Sequence, residues 1–303
     1  MGFVGDPLTV AQPVIVKHLA ALHRASAVDS EISADIRWRP HVWEATGRRA
    51  WYIHTTPPDT DTWFARVAKA KSADTTLRIG VAAPADALLD ENFLLHCAQL
   101  DAEIIKFDSP LDADQIATAG FASVDDFVIE TRAQLSFHAA KSLLDLSFQR
   151  AISAPDTNRK GVLFEVTVAL MLSQVSGFEV HDVGISNRTQ QMDVLVQNRN
   201  VGGALSGSPL VLAEAKNWKD PVTPTEYAEF VRKLRSRHGR AKLGFLVTSG
   251  VFTSGVTLER RRESEGETLV VLVDGATFES IWTGPNSITE NIEKLSIAAS
   301  IGD

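Results

Sequence analysis

An apolar strand pattern that ends in two charged residues constrains this chain more than any other feature. Residues 211–213 are apolar without interruption, which is typical of a strand buried in the middle of a sheet, and Glu214 and Lys216 follow. Side chains two apart on a strand share one face, so Glu214 and Lys216 point the same way. A Glu-x-Lys pair alone is common and usually faces solvent, but charges at the end of a buried strand are costly unless they are paired or bind a metal. The run therefore predicts a functional site at the end of a central strand.

Strand and helix patterns around this run follow one another in the order α-β-β-β-α-β-α-β. The predicted elements are helix 161–173, strands 178–184, 192–197 and 210–216, helix 224–238, strand 242–248, helix 254–265, strand 269–273 and helix 275–283. The segment 199–208 is rich in glycine, so the strands on either side of it are expected to form a hairpin. Such a hairpin places Asp193 near Glu214 at one edge of the sheet.

The first half of the chain also alternates strands and helices, which favours a separate N-terminal α/β domain with some parallel pairing. Helices are predicted at 5–30, 63–71, 86–100 and 123–149, and strands at 35–39, 49–54, 77–82 and 103–107. The segment 151–159 breaks the last helical pattern with Ser, Pro, Asp and Asn. A chain of 303 residues is long enough for two domains, and they are predicted to cover 1–150 and 151–303.

Composition excludes several classes of protein. The single cysteine, Cys97, cannot form an intramolecular disulfide, and no run of about 18 apolar residues is present that could span a membrane. The first residues lack the basic and apolar regions of a signal peptide, so a cytoplasmic protein without a membrane partner is expected. The net charge of −8 argues against a DNA-coating protein, but residues from 151 onward contribute only −2 of it, with 16 basic and 18 acidic residues.

Three carboxylates and one lysine stand out as candidates for chemistry. Glu165 lies on the predicted helix 161–173, Asp193 begins a strand, and Glu214 and Lys216 end the next one. Mg²⁺ takes oxygen ligands and keeps several waters, so one or two carboxylates are enough to hold it. A metal held there polarises phosphoryl oxygens and acidifies a bound water, while the lysine orients that water or stabilises charge in the transition state.

Five segments in the same order resemble a known family. The helix segment 160–165, the strand segment 190–196 led by Asp193 and the segment 212–218 with its Glu-x-Lys resemble the PD-(D/E)xK nuclease superfamily, in its Mrr-like restriction endonuclease branch. The segments 244–253 and 270–275 resemble the later strands of that branch. The resemblance covers about 158–283. Each motif alone is weakly specific, but their number and order are together fairly specific, and they imply an α-β-β-β-α-β core.

The resemblance implies a metal-dependent endonuclease that hydrolyses DNA phosphodiester bonds, with a role in bacterial antiviral defence. It makes Asp193 and Glu214 metal ligands, Lys216 the catalytic lysine and Glu165 the helix acid, with the carbonyl of Ala215 as a further metal ligand. The metal implied is Mg²⁺, with Mn²⁺ as a substitute. Two features depart from the family pattern. The helix after Glu-x-Lys carries glutamates in place of a glutamine, and the segment 189–192 lacks the glycines that often precede the Asp.

A basic run on and after helix 224–238 is the candidate DNA-binding surface. Lysine and arginine side chains there would contact phosphates and give salt-sensitive affinity, although a solvated helix face is the default interpretation of such a run. The run consists of Arg232, Lys233, Arg235, Arg237, Arg240 and Lys242.

Several alternatives remain open on the sequence alone. One is a catalytically inactive protein that binds nucleic acid or acts as a scaffold through a nuclease fold. Another is a nuclease that acts on RNA or branched DNA. The first domain carries no catalytic pattern, and by analogy with other nucleases it would serve recognition, oligomerisation or the sensing of a small-molecule or protein activator. Double-strand cleavage usually needs two active sites, which favours a homodimer, but no interface pattern is visible.

Overall fold

The computed structural model describes residues 26–27, 42–44, 48–53, 60–84, 88–107, 122–186, 191–262 and 266–302. The chain divides into two units between Phe127 and Val128. Both units are α/β, which confirms the predicted class. Among the described residues, no helix is long and apolar enough to cross a membrane.

The first unit is built on a sheet of five strands in the described part of the chain, in the order β1-β2-β3-β4-β5. Strands β1 to β3 pair antiparallel, and β3, β4 and β5 pair parallel. The central strand β3 is buried along its whole length. The elements are β1 (Ser26–Ala27), β2 (Val42–Glu44), β3 (Arg49–Ile53), α1 (Thr60–Ala73), β4 (Arg78–Pro84), α2 (Glu91–Gln99), β5 (Glu103–Phe107) and α3 (Val124–Thr131), which crosses into the second unit.

Two elements predicted for the first half of the chain can be compared with the structure only in part or not at all. Ser26 and Ala27 form a strand, so the predicted helix 5–30 is wrong at that point. The rest of that helix before Ser26 and the predicted strand 35–39 lie outside the described residues.

The single helix predicted at 123–149 is two helices. Arg132 has a left-handed backbone, with φ of 55°, which ends α3, and Ser136 caps the next helix by accepting a hydrogen bond from the N–H of Ala139. The side chain of Gln174 fixes the chain between them. It accepts a hydrogen bond from the N–H of Leu135 at 3.0 Å and donates one to the carbonyl of Ala133 at 3.0 Å. Periodicity could not reveal this break because apolar residues continue at helical spacing on both sides of it.

The second unit follows the predicted order of elements. After α4 come a helix, three strands, and then alternating helices and strands, with one more helix at the end that the sequence analysis did not predict. The elements are α4 (Phe137–Ser153), α5 (Thr157–Ser173), β6 (Phe178–Ser186), β7 (Gln191–Asn198), β8 (Leu210–Lys216), α6 (Pro224–Arg235), β9 (Ala241–Thr248), α7 (Ser254–Arg262), β10 (Leu269–Val273), α8 (Gly275–Thr283) and α9 (Ile288–Ile301).

The sheet of the second unit has the strand order β10-β9-β8-β7-β6. Strands β6, β7 and β8 form antiparallel pairs, and β8, β9 and β10 form parallel pairs. The hairpin predicted between β7 and β8 is confirmed, with Val194 opposite Ala213. Strand β8 is the central strand, as its apolar run predicts.

Helix α4 belongs with the second unit, whereas the predicted division after residue 150 falls inside this helix. Phe148 on α4 packs against Phe278 and Trp282 with ring centroids 5.6 and 5.9 Å apart. Asp145 accepts a hydrogen bond from the indole of Trp282 at 2.6 Å. The polar residues after α4 are the caps between two packed helices, since Asp156 caps α5.

Helix α6 approaches the sheet closely at one glycine. A Cβ at Gly244 on β9 would lie 2.8 Å from side-chain atoms of both Phe230 and Leu234 on α6. Gly244 lies beside Leu212 of β8. Because Gly244 has no side chain, α6 packs closely against the face of the sheet that carries Leu212 and, two residues later, Glu214.

Candidate active site

Asp193 is buried where the pairing of β7 and β8 ends. The last paired residues are Val194 and Ala213, and beyond them a carboxylate oxygen of Asp193 accepts a hydrogen bond from the N–H of Ala215 at 2.8 Å. Asp193 is 5% exposed. The side chain thus replaces the missing backbone partner of β8 and is held in place by it.

Glu214 lies beside Asp193, and the ammonium groups of two lysines contact its carboxylate. Nζ of Lys216 lies 2.9 Å from Oε1 of Glu214. Nζ of Lys233, on α6, lies 2.8 Å from Oε1 and 2.6 Å from Oε2. Glu214 is 6% exposed, so its charge is balanced at close range by lysines and not by bulk water.

Glu165 faces these carboxylates from α5. Its pKa is raised to about 7, first by burial and then by repulsion from Asp193 and Glu214, against the opposing attraction of Lys216. The buried Phe164 next to it anchors the helix in the aromatic cluster of the core, 5.4 Å from the ring of Phe278. The structure therefore brings the predicted helix acid to the two strand carboxylates.

The charges of the strand residues also influence one another. Burial raises the pKa of Asp193, repulsion from Glu214 raises it further, and the hydrogen bond from Ala215 opposes both. Burial lowers the pKa of Lys216, but attraction to Glu214 and Asp193 outweighs burial and the net pKa is raised. The site thus keeps Lys216 charged and disfavours the ionisation of Asp193.

Asn217 connects three elements at the site and was missed by the sequence analysis. Its amide nitrogen donates to the carbonyls of Ala151 at 3.2 Å and Lys160 at 3.0 Å, and its amide oxygen accepts from the hydroxyl of Ser249 at 2.6 Å. The ends of α4 and β9 and the start of α5 are thereby held to the end of β8. An Asn after a strand gives no local signal of such distant partners.

Trp218 follows as an exposed aromatic residue. It is 45% exposed, and Nζ of Lys216 lies 4.9 Å from the centre of its ring. This contact is within the range of a cation–π interaction. Lys216 therefore lies between the carboxylate of Glu214 and the indole ring.

The predicted DNA-binding run does not form one uniform surface. Arg232, Arg235 and Arg240 are exposed. Arg237 is half-buried, with its guanidinium 2.9 Å from the sulfur of Met192. Lys242 pairs with Glu267 at 3.6 Å. Lys233 is placed differently from the prediction: because it points from α6 onto the sheet, it lies in the carboxylate cluster.

A comparison of the sequence with known protein families agrees with this arrangement of residues. The order α5, β6, β7, β8 brings a helix acid, a strand Asp and a strand Glu-x-Lys together. Residues 159–282 match the Mrr_cat restriction endonuclease family. The match covers less than half of the chain and lies within the second unit, which is therefore similar to a restriction endonuclease domain. No curated protein and no solved structure matches the chain.

The restriction-endonuclease-like domain carries a donor set of the right chemistry for Mg²⁺. Asp193 and Glu214 supply carboxylate oxygens at one sheet edge, and Mg²⁺ needs only one or two carboxylates because it keeps several waters. Burial and then mutual repulsion raise the pKa of Glu165 and of Asp193, and a cation would relieve the repulsion. Within the described residues, no group of three or more acidic, His or Cys side chains is arranged so that it could hold a metal ion.

Proposed function

We propose that this protein is a Mg²⁺-dependent endonuclease that hydrolyses phosphodiester bonds of DNA. The observation that carries the proposal is the cluster at the end of β8, where the buried carboxylates of Asp193 and Glu214 lie beside the ammonium of Lys216. The restriction endonuclease family match over residues 159–282 supports the same reaction class.

The proposed roles follow from the position of each side chain. Asp193 and Glu214 would hold Mg²⁺, with Mn²⁺ as a substitute, and the carbonyl of Ala215 would add a third oxygen. The metal would supply Lewis-acid polarisation of the phosphate and a more acidic water. Lys216, whose charge the neighbouring carboxylates maintain, would stabilise negative charge that develops on the phosphate.

Glu165 would receive a proton from the attacking water. In the metal-free protein its pKa is raised to about 7, chiefly by burial, and burial persists when a cation relieves the repulsion, so Glu165 keeps a higher pKa than a solvated carboxyl and suits a general base. Its place on α5, opposite the two strand carboxylates, puts it at the edge of the cluster. This role would be exerted directly or through an intervening water.

DNA would be held by the exposed arginines of α6 and the turn after it. Arg232, Arg235 and Arg240 are exposed and belong to the same unit as the carboxylate cluster. Contacts of this kind bind phosphates without reading sequence and weaken as salt rises. We further propose a role in bacterial antiviral defence, with the first unit regulating or targeting cleavage and a homodimer cutting both strands.

The test is cleavage of supercoiled plasmid by the purified full chain with Mg²⁺, Mn²⁺ or EDTA. Cleavage that needs metal and falls by roughly 100-fold in Lys216→Ala supports the proposal. The surface variant Lys141→Ala, on α4, is the matched control for loss of an ion-paired lysine. Undiminished cleavage by Lys216→Ala would contradict this site.

A protein that binds metal through Glu214 yet cleaves neither plasmid, branched DNA nor RNA would be a binding or scaffold protein with a nuclease fold. Cleavage of RNA or branched DNA alone would keep the site and change the substrate. Product analysis on plasmid separates nicking from double-strand cutting.

A further inference from the structure

Lys233 occupies a position in the active site that its sequence context does not indicate. It lies in a basic run on α6, where a solvated side chain is the default, yet its side chain is only 18% exposed. Its ammonium contacts both oxygens of Glu214, at 2.8 and 2.6 Å. An ammonium this close to both oxygens of a buried carboxylate takes the place that a cation would occupy.

The fold fixes this placement at the start of α6 and again in its second half. At the start, Thr223 and Glu226 form a capping box, in which each side chain satisfies a backbone N–H of the other. In the middle, Gly244 lets Phe230 and Leu234 settle against β9. Lys233 lies between Phe230 and Leu234 in the sequence, so it cannot leave Glu214 unless its own side chain bends away or α6 lifts from the sheet.

Lys233 and Lys216 contact Glu214 in different ways. Lys216 reaches one oxygen and also lies over the ring of Trp218, so its ammonium is shared between two partners. Lys233 covers both oxygens. The carboxylate is therefore held mainly from α6, while Lys216 is shared with the indole ring.

We propose that Lys233 is a positioning residue that holds the Glu214 carboxylate and opposes the binding of a divalent cation to it. This inference rests on the proposed function, since Glu214 is the proposed metal ligand. Three carboxylates, Glu165, Asp193 and Glu214, face two ammonium groups. The charge of Lys233 lowers the attraction of the cluster for a cation, and its ammonium occupies the oxygens that a metal would use.

Loss of this charge has opposite effects on metal binding and on catalysis. In Lys233→Met the stem remains but the ammonium is gone, so divalent cations should bind more tightly, on the order of threefold to tenfold. Glu214 then loses the partner that fixes its orientation. Cleavage at saturating Mg²⁺ should fall by roughly tenfold. A residue that only supported the fold would weaken both.

The experiment is calorimetric titration of Mn²⁺ into the full chain without nucleic acid, for the wild type, Lys233→Met, Lys233→Arg and Lys141→Met. We expect tighter binding in Lys233→Met alone, because Lys233→Arg keeps the charge and Lys141 pairs with Asp145 on the surface of α4. Thermal unfolding in EDTA shows that each variant is folded before it is titrated.

The outcomes separate this inference from the proposed function. In one outcome the wild-type protein binds Mn²⁺ and cleaves DNA, but folded Lys233→Met binds Mn²⁺ equally or more weakly. This result overturns the role of Lys233 and leaves the proposed nuclease activity in place. Wild-type protein that binds no Mn²⁺ overturns the metal site, and the opposing role of Lys233 with it. Tighter binding in Lys141→Met as well would show an unspecific charge effect and also overturn the inference.

Discussion

A carboxylate oxygen of Asp193 on β7 accepts a hydrogen bond from the backbone N–H of Ala215 on β8 at 2.8 Å. The acidic side chain thus does two things in one place: it completes the hydrogen bonding of the central strand, and it adds negative charge beside Glu214. A substitution at position 193 can therefore remove the charge and keep the hydrogen-bond acceptor, or remove both.

Asp193→Asn should separate structure from chemistry. The amide oxygen can still accept from Ala215 and the buried charge is removed, so we expect a midpoint of denaturant unfolding in EDTA at or above that of the wild type, whereas cleavage should fall by roughly 100-fold or more through loss of the metal ligand. Asp193→Ala, the comparison variant, loses the acceptor as well and should lower the free energy of unfolding by about 1–3 kcal/mol. Equal destabilisation by both variants would show that the hydrogen bond to Ala215 contributes little.

Glu165 should make the metal-free protein less stable as pH rises. Its pKa is about 7 in the folded protein, above the usual 4.5, so the folded state holds the proton more tightly than the unfolded state. This group therefore costs nothing below pH 4.5, and its penalty grows between pH 4.5 and 7 and is complete above 7. Glu165→Gln removes the penalty and should raise the free energy of unfolding in EDTA at pH 8 by about 1–2 kcal/mol, since Glu165 is only partly buried and solvent reduces both the cost of burial and the repulsion.

The measurement for Glu165 is denaturant unfolding in EDTA at pH 5 and pH 8 for both proteins. The gain in Glu165→Gln should appear at pH 8 and nearly vanish at pH 5. A gain of the same size at both pH values would mean that packing, and not charge, is responsible.

Asn217→Ala should destabilise the second unit. The change removes hydrogen bonds to the carbonyls of Ala151 and Lys160 and to the hydroxyl of Ser249, which join α4, α5 and β9 to β8. We expect a loss of about 1–3 kcal/mol in the free energy of unfolding, measured in urea. Asn158→Ala, at an exposed position near the start of α5, is the control. Losses of similar size in the two variants would show that the hydrogen bonds of Asn217 contribute little to stability.

Replacement of the exposed arginines by glutamine should weaken DNA binding in a salt-dependent way. If Arg232, Arg235 and Arg240 each bind a phosphate, every replacement should reduce the slope of log affinity against log salt by about 1. Fluorescence anisotropy with a labelled duplex in EDTA measures this without cleavage. Lys294→Gln, exposed on α9, serves as the control for net charge. An unchanged slope in the triple variant would place the DNA elsewhere.

Sequence patterns predict the sheet of the second unit and its strand carboxylates because the signals are local. The alternation of side chains on β8 places Glu214 and Lys216 on one face, and the glycine-rich connection predicts the hairpin that brings Asp193 alongside. Such local patterns do not predict contacts between residues that are far apart in the sequence. Lys233 looks like a surface lysine until the close approach of α6 at Gly244 is known.

The break at Arg132 escapes for a similar reason. It depends on a left-handed residue that is not glycine and on the side chain of Gln174, some forty positions away. The terminal helix α9, by contrast, begins with a capping box of Ser287 and Glu290, which is a local signal that a sequence pattern can predict.

The packing of α4 has a practical consequence for anyone who wishes to produce the catalytic half alone. A fragment that starts at residue 151 would lack Phe148 and leave the rings of Phe278 and Trp282 uncovered, together with the indole N–H that donates to Asp145. We expect such a fragment to aggregate in size-exclusion chromatography, and a fragment that starts at Val128 to elute as a folded species. The recombinant boundary should follow the aromatic core and not the polar stretch that looks like a linker.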